Sequence, residues 1–130
     1  TGYQLIKILL QMAVLKNVFP LPILDAVNYM KAYLDERISI SLLAKTANLS
    51  QSRFFSVFKA SLGVSPMAYL MNLRLSRASI LLDIPALSIS EIASKCGISD
   101  VYYFSKAFKQ KYGVSPSEFR KRSFAGSKQD

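Results

Sequence analysis

Histidine is absent from this 130-residue chain, cysteine occurs once, and only 8 acidic residues face 17 lysines and arginines. Each shortage closes a class of function. Imidazole is the usual general base and metal ligand near neutral pH, so a chain without it has no Ser-His or Cys-His nucleophile pair and none of the common zinc arrangements. The single cysteine, Cys96, cannot form an internal disulfide, which fits a reducing cytoplasm. A long hydrophobic run is also missing. The most apolar stretch, Leu5 to Leu15, is interrupted by Lys7 and Gln11 and falls short of the roughly 20 residues that cross a bilayer. It has no signal-peptide cleavage context either. The expectations are therefore a cytoplasmic protein with no enzymatic activity, no cofactor, no metal and no membrane partner.

What remains is apolar and basic. Hydrophobic residues make up 51% of the chain, enough for a packed core rather than disorder. The formal charge of +9 is uneven, with five cations against three anions in residues 1–50 and twelve against five in residues 51–130. Such an excess draws polyanions by long-range attraction, yet it separates nucleic acid poorly from an acidic membrane. The chain begins at Thr1, and Leu5, Ile6, Leu9, Leu10, Met12, Ala13 and Leu15 leave almost no polar face. Residues 1–20 are accordingly expected to be an apolar helix from the end of an upstream domain or linker, with the missing part of a longer protein lying before it.

The pattern that orders the rest is a duplication. Ser39, Ile40, Leu43, Ala44, Leu49 and Ser50 stand 49 positions before Ser88, Ile89, Ile92, Ala93, Ile98 and Ser99. Beyond Ser50 the offset is 50, so that Phe54, Phe58, Lys59, Gly63, Val64, Ser65 and Pro66 fall on Phe104, Phe108, Lys109, Gly113, Val114, Ser115 and Pro116. The second copy has one extra residue near Asp100. Solenoid arrays usually need three or more units to bury a continuous core, so two copies point to a paired module.

Each copy reads as helix, tight turn, helix. An amphipathic supporting helix precedes the first, with Ile23, Ala26, Val27, Met30 and Leu34 at three-to-four spacing ending in Asp35, Glu36 and Arg37. Ser39 is the expected N-cap of a helix over 40–47, and Ser88 with Glu91 forms a capping box in the second copy. Asn48 and Gly97 occupy the turn, the two residue types that best tolerate a left-handed backbone. Ser50 is expected to cap a helix over 51–62 and Ser99 one over 100–112. Phe54 and Phe58, like Phe104 and Phe108, lie four apart and should anchor each second helix to a three-helix core. Gly63 and Gly113 end those helices, and Ser65-Pro66 and Ser115-Pro116 open the next. From Pro66 to about Leu82 nothing breaks the pattern. A helix of about 17 residues is roughly 25 Å long at 1.5 Å per residue, a length that would let two recognition helices sit about 34 Å apart, one turn of B-DNA.

At this point the residues resemble a known family. Arg74-Leu75, Ala78, Leu81-Leu82, Ile89, Ile92-Ala93, Gly97-Ile98, Phe104, Phe108, Gly113 and Ser115-Pro116 are similar to the signature of the AraC/XylS-type transcription regulators, over about residues 22–122. The resemblance implies an all-α, homeodomain-like domain of seven helices. A first helix-turn-helix subdomain (21–65), a long connecting helix (66–82) and a second helix-turn-helix subdomain (83–122) would precede a disordered tail (123–130). It also implies transcription activation on double-stranded DNA beside RNA polymerase, with an upstream effector or dimerisation domain.

In a helix-turn-helix the second helix offers its outward N-terminal side chains to base edges. With the phenylalanines inward, the outward set is Gln51, Ser52, Phe55, Ser56 and Lys59 in one copy and Val101, Tyr102, Lys106 and Lys109 in the other. By resemblance, the base readers are Ser52, Phe55 and Ser56, then Val101, Tyr102 and Lys106. Phe55 and Val101 depart from the family's usual polar readers, offering only apolar contact such as a thymine methyl, and Phe55 can equally be read as packing on a neighbouring helix. Candidate phosphate contacts are Gln51, Arg53, Lys59, Lys109, Lys111, Arg120, Lys121 and Arg122, with the backbone amides opened by Ser39, Ser65, Ser88 and Ser115. Arg74, on the connecting helix, reads as a brace between the two subdomains or as a DNA contact. Two rival readings stand beside this one: a helical protein-interaction module with a basic surface, and a DNA-repair methyltransferase using Cys96, which has no activating partner in the sequence.

Overall fold

Serine side chains start most of the helices. In the computed structural model, which describes residues 4, 5 and 20–128, the described residues contain seven helices of seven residues or more and no strand. They are α1 (Leu21–Ala32), α2 (Ile40–Thr46), α3 (Gln51–Leu62), α4 (Pro66–Leu81), α5 (Ile89–Lys95), α6 (Val101–Tyr112) and α7 (Pro116–Lys128). Ser39, Ser50, Ser65, Ser88 and Ser115 each accept a hydrogen bond from the backbone N–H three residues on, at 3.0–3.2 Å. Each such cap satisfies an N–H that the helix cannot, at about 1 kcal/mol. The expected N-terminal apolar helix lies almost wholly outside the described residues. Of that stretch only Gln4 and Leu5, both helical and exposed, and the non-helical Pro20 are described.

The extra residue of the second copy changes one cap. The cap of α6 is Asp100 rather than Ser99, because Asp100 Oδ1 accepts from both Tyr102 N (2.9 Å) and Tyr103 N (3.2 Å). In the 50-residue register Asp100 falls on Ser50, so the insertion sits in the turn and leaves the cap position aligned. Other boundaries move slightly. The supporting helix stops at Ala32, although Leu34 remains buried beyond it, and residues 123–128, expected to belong to a disordered tail, instead continue α7 to Lys128, with Ser123 Oγ donating to Asp83 Oδ1 at 2.7 Å.

The chain divides into two compact units, whose described parts are 4, 5 and 20–32 with 38–69, and 33–37 with 70–128. Helix α4 gives its first turn to the first unit and the remainder to the second. In the first unit Ile23, Ala26, Val27, Met30, Leu43, Ala44, Phe54 and Phe58 are buried, and Tyr69 sets its ring edge-on to Phe58 at 5.6 Å. The second unit repeats this with Leu75, Ala78, Leu82, Ile92, Ala93, Cys96, Ile98, Phe104 and Phe108. There Phe119 meets Phe108 edge-on at 5.3 Å. Edge-to-face pairs of this kind add about 0.5–1.5 kcal/mol beyond the area they bury.

Both turns use a left-handed residue, Asn48 at φ 56° and Gly97 at φ 82°. The surroundings of Gly97 impose a second requirement. A Cβ there would stand 2.6 Å from the Leu34 carbonyl oxygen and 2.9 Å from Arg74 Nε. Arg74, 8% exposed, donates from Nε to Leu34 O (3.1 Å) and from Nη2 to Glu36 O (2.8 Å), and its burial pulls its pKa down from the ordinary guanidinium value. Arg74, expected to brace the two subdomains, instead holds backbone carbonyls within the second unit. It leaves room only for a hydrogen at position 97.

Gly97→Asn, which copies the residue of the first turn, is expected to cost about 2 kcal/mol or more in urea denaturation, because a backbone oxygen cannot yield to the new Cβ. Asn48→Gly should change stability by less than about 1 kcal/mol. Similar small effects at both positions would contradict the close packing at Gly97. Phe104→Ala should cost about 3–5 kcal/mol, the loss for a fully buried ring.

Candidate nucleic-acid interface

Helix α3 shows two different faces. Phe54 and Phe58 are fully buried with ring centroids 5.6 Å apart, whereas Gln51, Ser52, Arg53, Phe55, Ser56 and Lys59 are exposed. Helix α6 repeats the division. Phe104 and Phe108 are buried at 5.8 Å, while Tyr102 (86% exposed), Tyr103, Lys106 and Lys109 face solvent. Of the expected readers, five are therefore exposed and Val101 is half-buried, which leaves it less surface to offer than the sequence pattern implied. Tyr103 was passed over in that pattern. The signal for it was available, since in the 50-residue register it falls on Arg53, which the sequence reading had put in the phosphate set.

The two N-termini differ in charge. Ser50 is a neutral cap that accepts one N–H, and Asp100 is a carboxylate that accepts two. A negative group at a helix N-terminus complements the helix dipole and competes with an incoming phosphate for the same amides. The start of α3 is thus the better of the two for backbone phosphate.

The cations also separate by task. Arg53, Lys59, Lys109 and Lys121 are exposed, as is Gln51. Lys111 is exposed, but its Nζ donates to Asn72 O and Ser76 Oγ, both at 3.0 Å, and stands 5.4 Å from the Tyr112 ring centroid. Arg120 points into its own unit. Its Nε donates to Leu82 O (3.0 Å), and Nη2 to Leu87 O (2.7 Å) and Ile84 O (3.2 Å), so the guanidinium holds the chain that follows α4. Arg122 lies 3.4 Å from Glu118 one turn back, an exposed pair of small energetic value.

Cys96 is buried in the core, and burial pushes its thiol up to about 11, with Arg77 and Arg74 pulling weakly the other way. The thiolate is the nucleophile, so this side chain acts as a small apolar residue and gives the alkyl-transfer reading no reactive group. Among the described residues no single helix is long and apolar enough to cross a membrane.

In each unit an exposed second helix is locked by two buried phenylalanines behind a sharp turn, which is the arrangement of a helix-turn-helix nucleic-acid-binding module. The model of a family described as "Helix-turn-helix domain" matches residues 43–122. The Msm operon regulatory protein of Streptococcus mutans is 41% identical over 99 residues, covering 73% of this chain and 36% of that protein. An AraC-type transcriptional regulator from Chromobacterium violaceum has a solved structure that is 32% identical at a TM-score of 0.72, over 78% of this chain and 90% of that one. The DNA-binding domain of AdpA, a global transcriptional factor solved with a target DNA, is 27% identical at a TM-score of 0.79, over 84% of this chain and 98% of that one. The chain belongs to the AraC/XylS-type helix-turn-helix family of transcription regulators, as a DNA-binding domain and not an enzyme. It spans about a third of the length of the curated relatives that it matches.

The burial of Cys96 has a kinetic signature. At pH 8 the folded chain should react with a chromogenic disulfide at least about 100-fold more slowly than the chain in denaturant, since a rise of two units in pKa removes that much thiolate. The same shift couples to stability: the folded state keeps its proton to higher pH than the unfolded one. Its stabilising share is complete below about pH 9 and is lost as pH rises towards about 11. Melting curves of Cys96→Ala should show a shallower decline across that window than wild type.

Proposed function

We propose that this domain regulates transcription by placing α3 and α6 in successive major-groove segments of one duplex, with Ser52, Phe55 and Ser56 reading bases in one segment and Tyr102, Lys106 and the exposed part of Val101 in the other. The observation that carries the reading is the matched division of α3 and α6 into a buried phenylalanine face and an exposed face that in α3 is polar apart from Phe55. That face is what a recognition helix needs, because its N-terminal outward side chains meet base edges. Lys106 is the one reader suited to guanine, whose O6 and N7 are acceptors in the major groove. Gln51, Arg53, Lys59, Lys109 and Lys121 position the domain on phosphates. Lys111 joins them only by leaving Asn72 and Ser76, and Arg120 only by leaving three backbone carbonyls. Activation beside RNA polymerase and a cytoplasmic setting follow from the family resemblance, and the relatives' greater length is in keeping with an effector or dimerisation domain acting with this one.

Selection of duplexes from a random pool, followed by footprinting, tests this directly. One family of sequences should be enriched at moderate salt, with two protected major-groove segments about one helical turn apart. A single protected segment would remove the two-site arrangement, and enrichment of nothing would remove specific DNA reading altogether. On the selected duplex, Lys106→Ala should weaken binding by about 10-fold or more and relax the preference at one position. Lys31→Ala should do neither. Lys109→Ala should instead weaken binding to all duplexes alike and flatten the slope of log affinity against log salt by about 0.9.

A further inference from the structure

The two recognition helices share their inner faces and differ on their outer ones. In the 50-residue register Phe54 and Phe58 fall on Phe104 and Phe108, whereas Ser52, Phe55 and Ser56 fall on Tyr102, Ser105 and Lys106. Lys59 and Lys109 are kept on the outer face, so the change there lies in the N-terminal part of each helix.

On α3 the outward change is towards apolar chemistry. Between Arg53 and Lys59 there is no cation, and the exposed face carries a single large apolar side chain, Phe55. Its neighbour Phe54 is 0% exposed and Phe55 is 40% exposed, so adjacent residues of one type divide between core and surface. Around it stand Gln51, Ser52 and Ser56, all exposed. The two serines, one turn before Phe55 and directly after it, are shorter than the ring and leave it the most protruding apolar group of that surface. A phenyl ring offers no hydrogen bond to a base edge. The major groove has one apolar group to meet it, the 5-methyl of thymine. The excess of positive charge brings the surface to DNA, and burying the ring against a methyl removes apolar area from water on both sides.

Resting on the DNA-binding reading above, we infer that Phe55 is a specificity-determining residue that recognises a thymine 5-methyl group. The first unit then selects its segment chiefly by a methyl at a fixed position, with Ser52 and Ser56 bonding neighbouring edges. The second unit selects through Tyr102 and Lys106.

Uracil separates this contact from every other, because it keeps the pairing and the O4 acceptor of thymine and lacks only the methyl. The probe is the duplex enriched from a random pool by the wild-type chain, with each thymine of the protected segments replaced singly by uracil. For wild type, at least one replacement should weaken binding by about four-fold, the value of one buried methyl. In Phe55→Ala and in Phe55→Gln that penalty should vanish while other replacements keep theirs. Circular dichroism melts near the wild-type temperature would show both variants folded. Equal binding of every uracil duplex by wild type would overturn the inference, and so would an undiminished penalty in the folded variants. A pool that yields no enriched duplex strikes the DNA-binding reading itself, before any uracil is introduced.

Discussion

A pair of phenylalanines four residues apart sets the orientation of each recognition helix, and everything proposed for the surface depends on it. Residues at this spacing lie on one helical face, so burying both rings fixes the rotation of the helix about its own axis. Once Phe54 and Phe58 are inside, Ser52, Phe55 and Ser56 have no choice but to face out. The same constraint in α6 turns Tyr102 and Lys106 outward. The rings are held in turn by aromatic neighbours, Tyr69 in the first unit and Phe119 in the second, each supplied by the helix that follows. A reader helix is thus aimed by its core rather than by its ligand.

Two buried or half-buried arginines perform a related task at helix ends. Arg74 binds the carbonyls of Leu34 and Glu36, and Arg120 those of Leu82, Ile84 and Leu87. In both cases a guanidinium satisfies backbone acceptors in the stretch after a helix, where no intrahelical partner exists. Arg74 is not the register equivalent of Arg120, since the 50-residue offset places Leu70 there. Both arginines lie in the second unit, and Arg74 stands one helical turn after the register equivalent of Arg120. For Arg74 the consequence extends to the turn of α5 and α6, where the guanidinium and the Leu34 carbonyl exclude any side chain at position 97.

Much of this was legible in the chain. Helix starts followed from serine caps, the turn from Asn48 and Gly97, and the inner faces from phenylalanine spacing. Each of these is a local matter in which a residue acts on backbone within a turn of itself. The errors are equally physical. Ser99 was an attractive cap because its offset matched, but Asp100 stands at the position from which a side chain reaches the free N–H groups of α6. Arg120 looked like a phosphate contact because it is a cation near a basic end. Its partners lie 33–38 residues back in sequence, and no local pattern announces them. Val101 read as outward by periodicity, yet packing covers most of it.

By itself the sequence determined the class of the fold, the duplication, the limits of the helices before the last to within a few residues and the identity of the inward aromatic positions. Caps, turns and three-to-four periodicity act over a single helical turn, and so they are written in adjacent residues. The tertiary structure alone decided which cations are free for phosphate and which are tied to carbonyls. It also decided that Gly97 is required by space as well as by φ, and that Cys96 is an inert part of the core. Each of those outcomes depends on which atoms from distant parts of the chain come into contact, and packing alone specifies that.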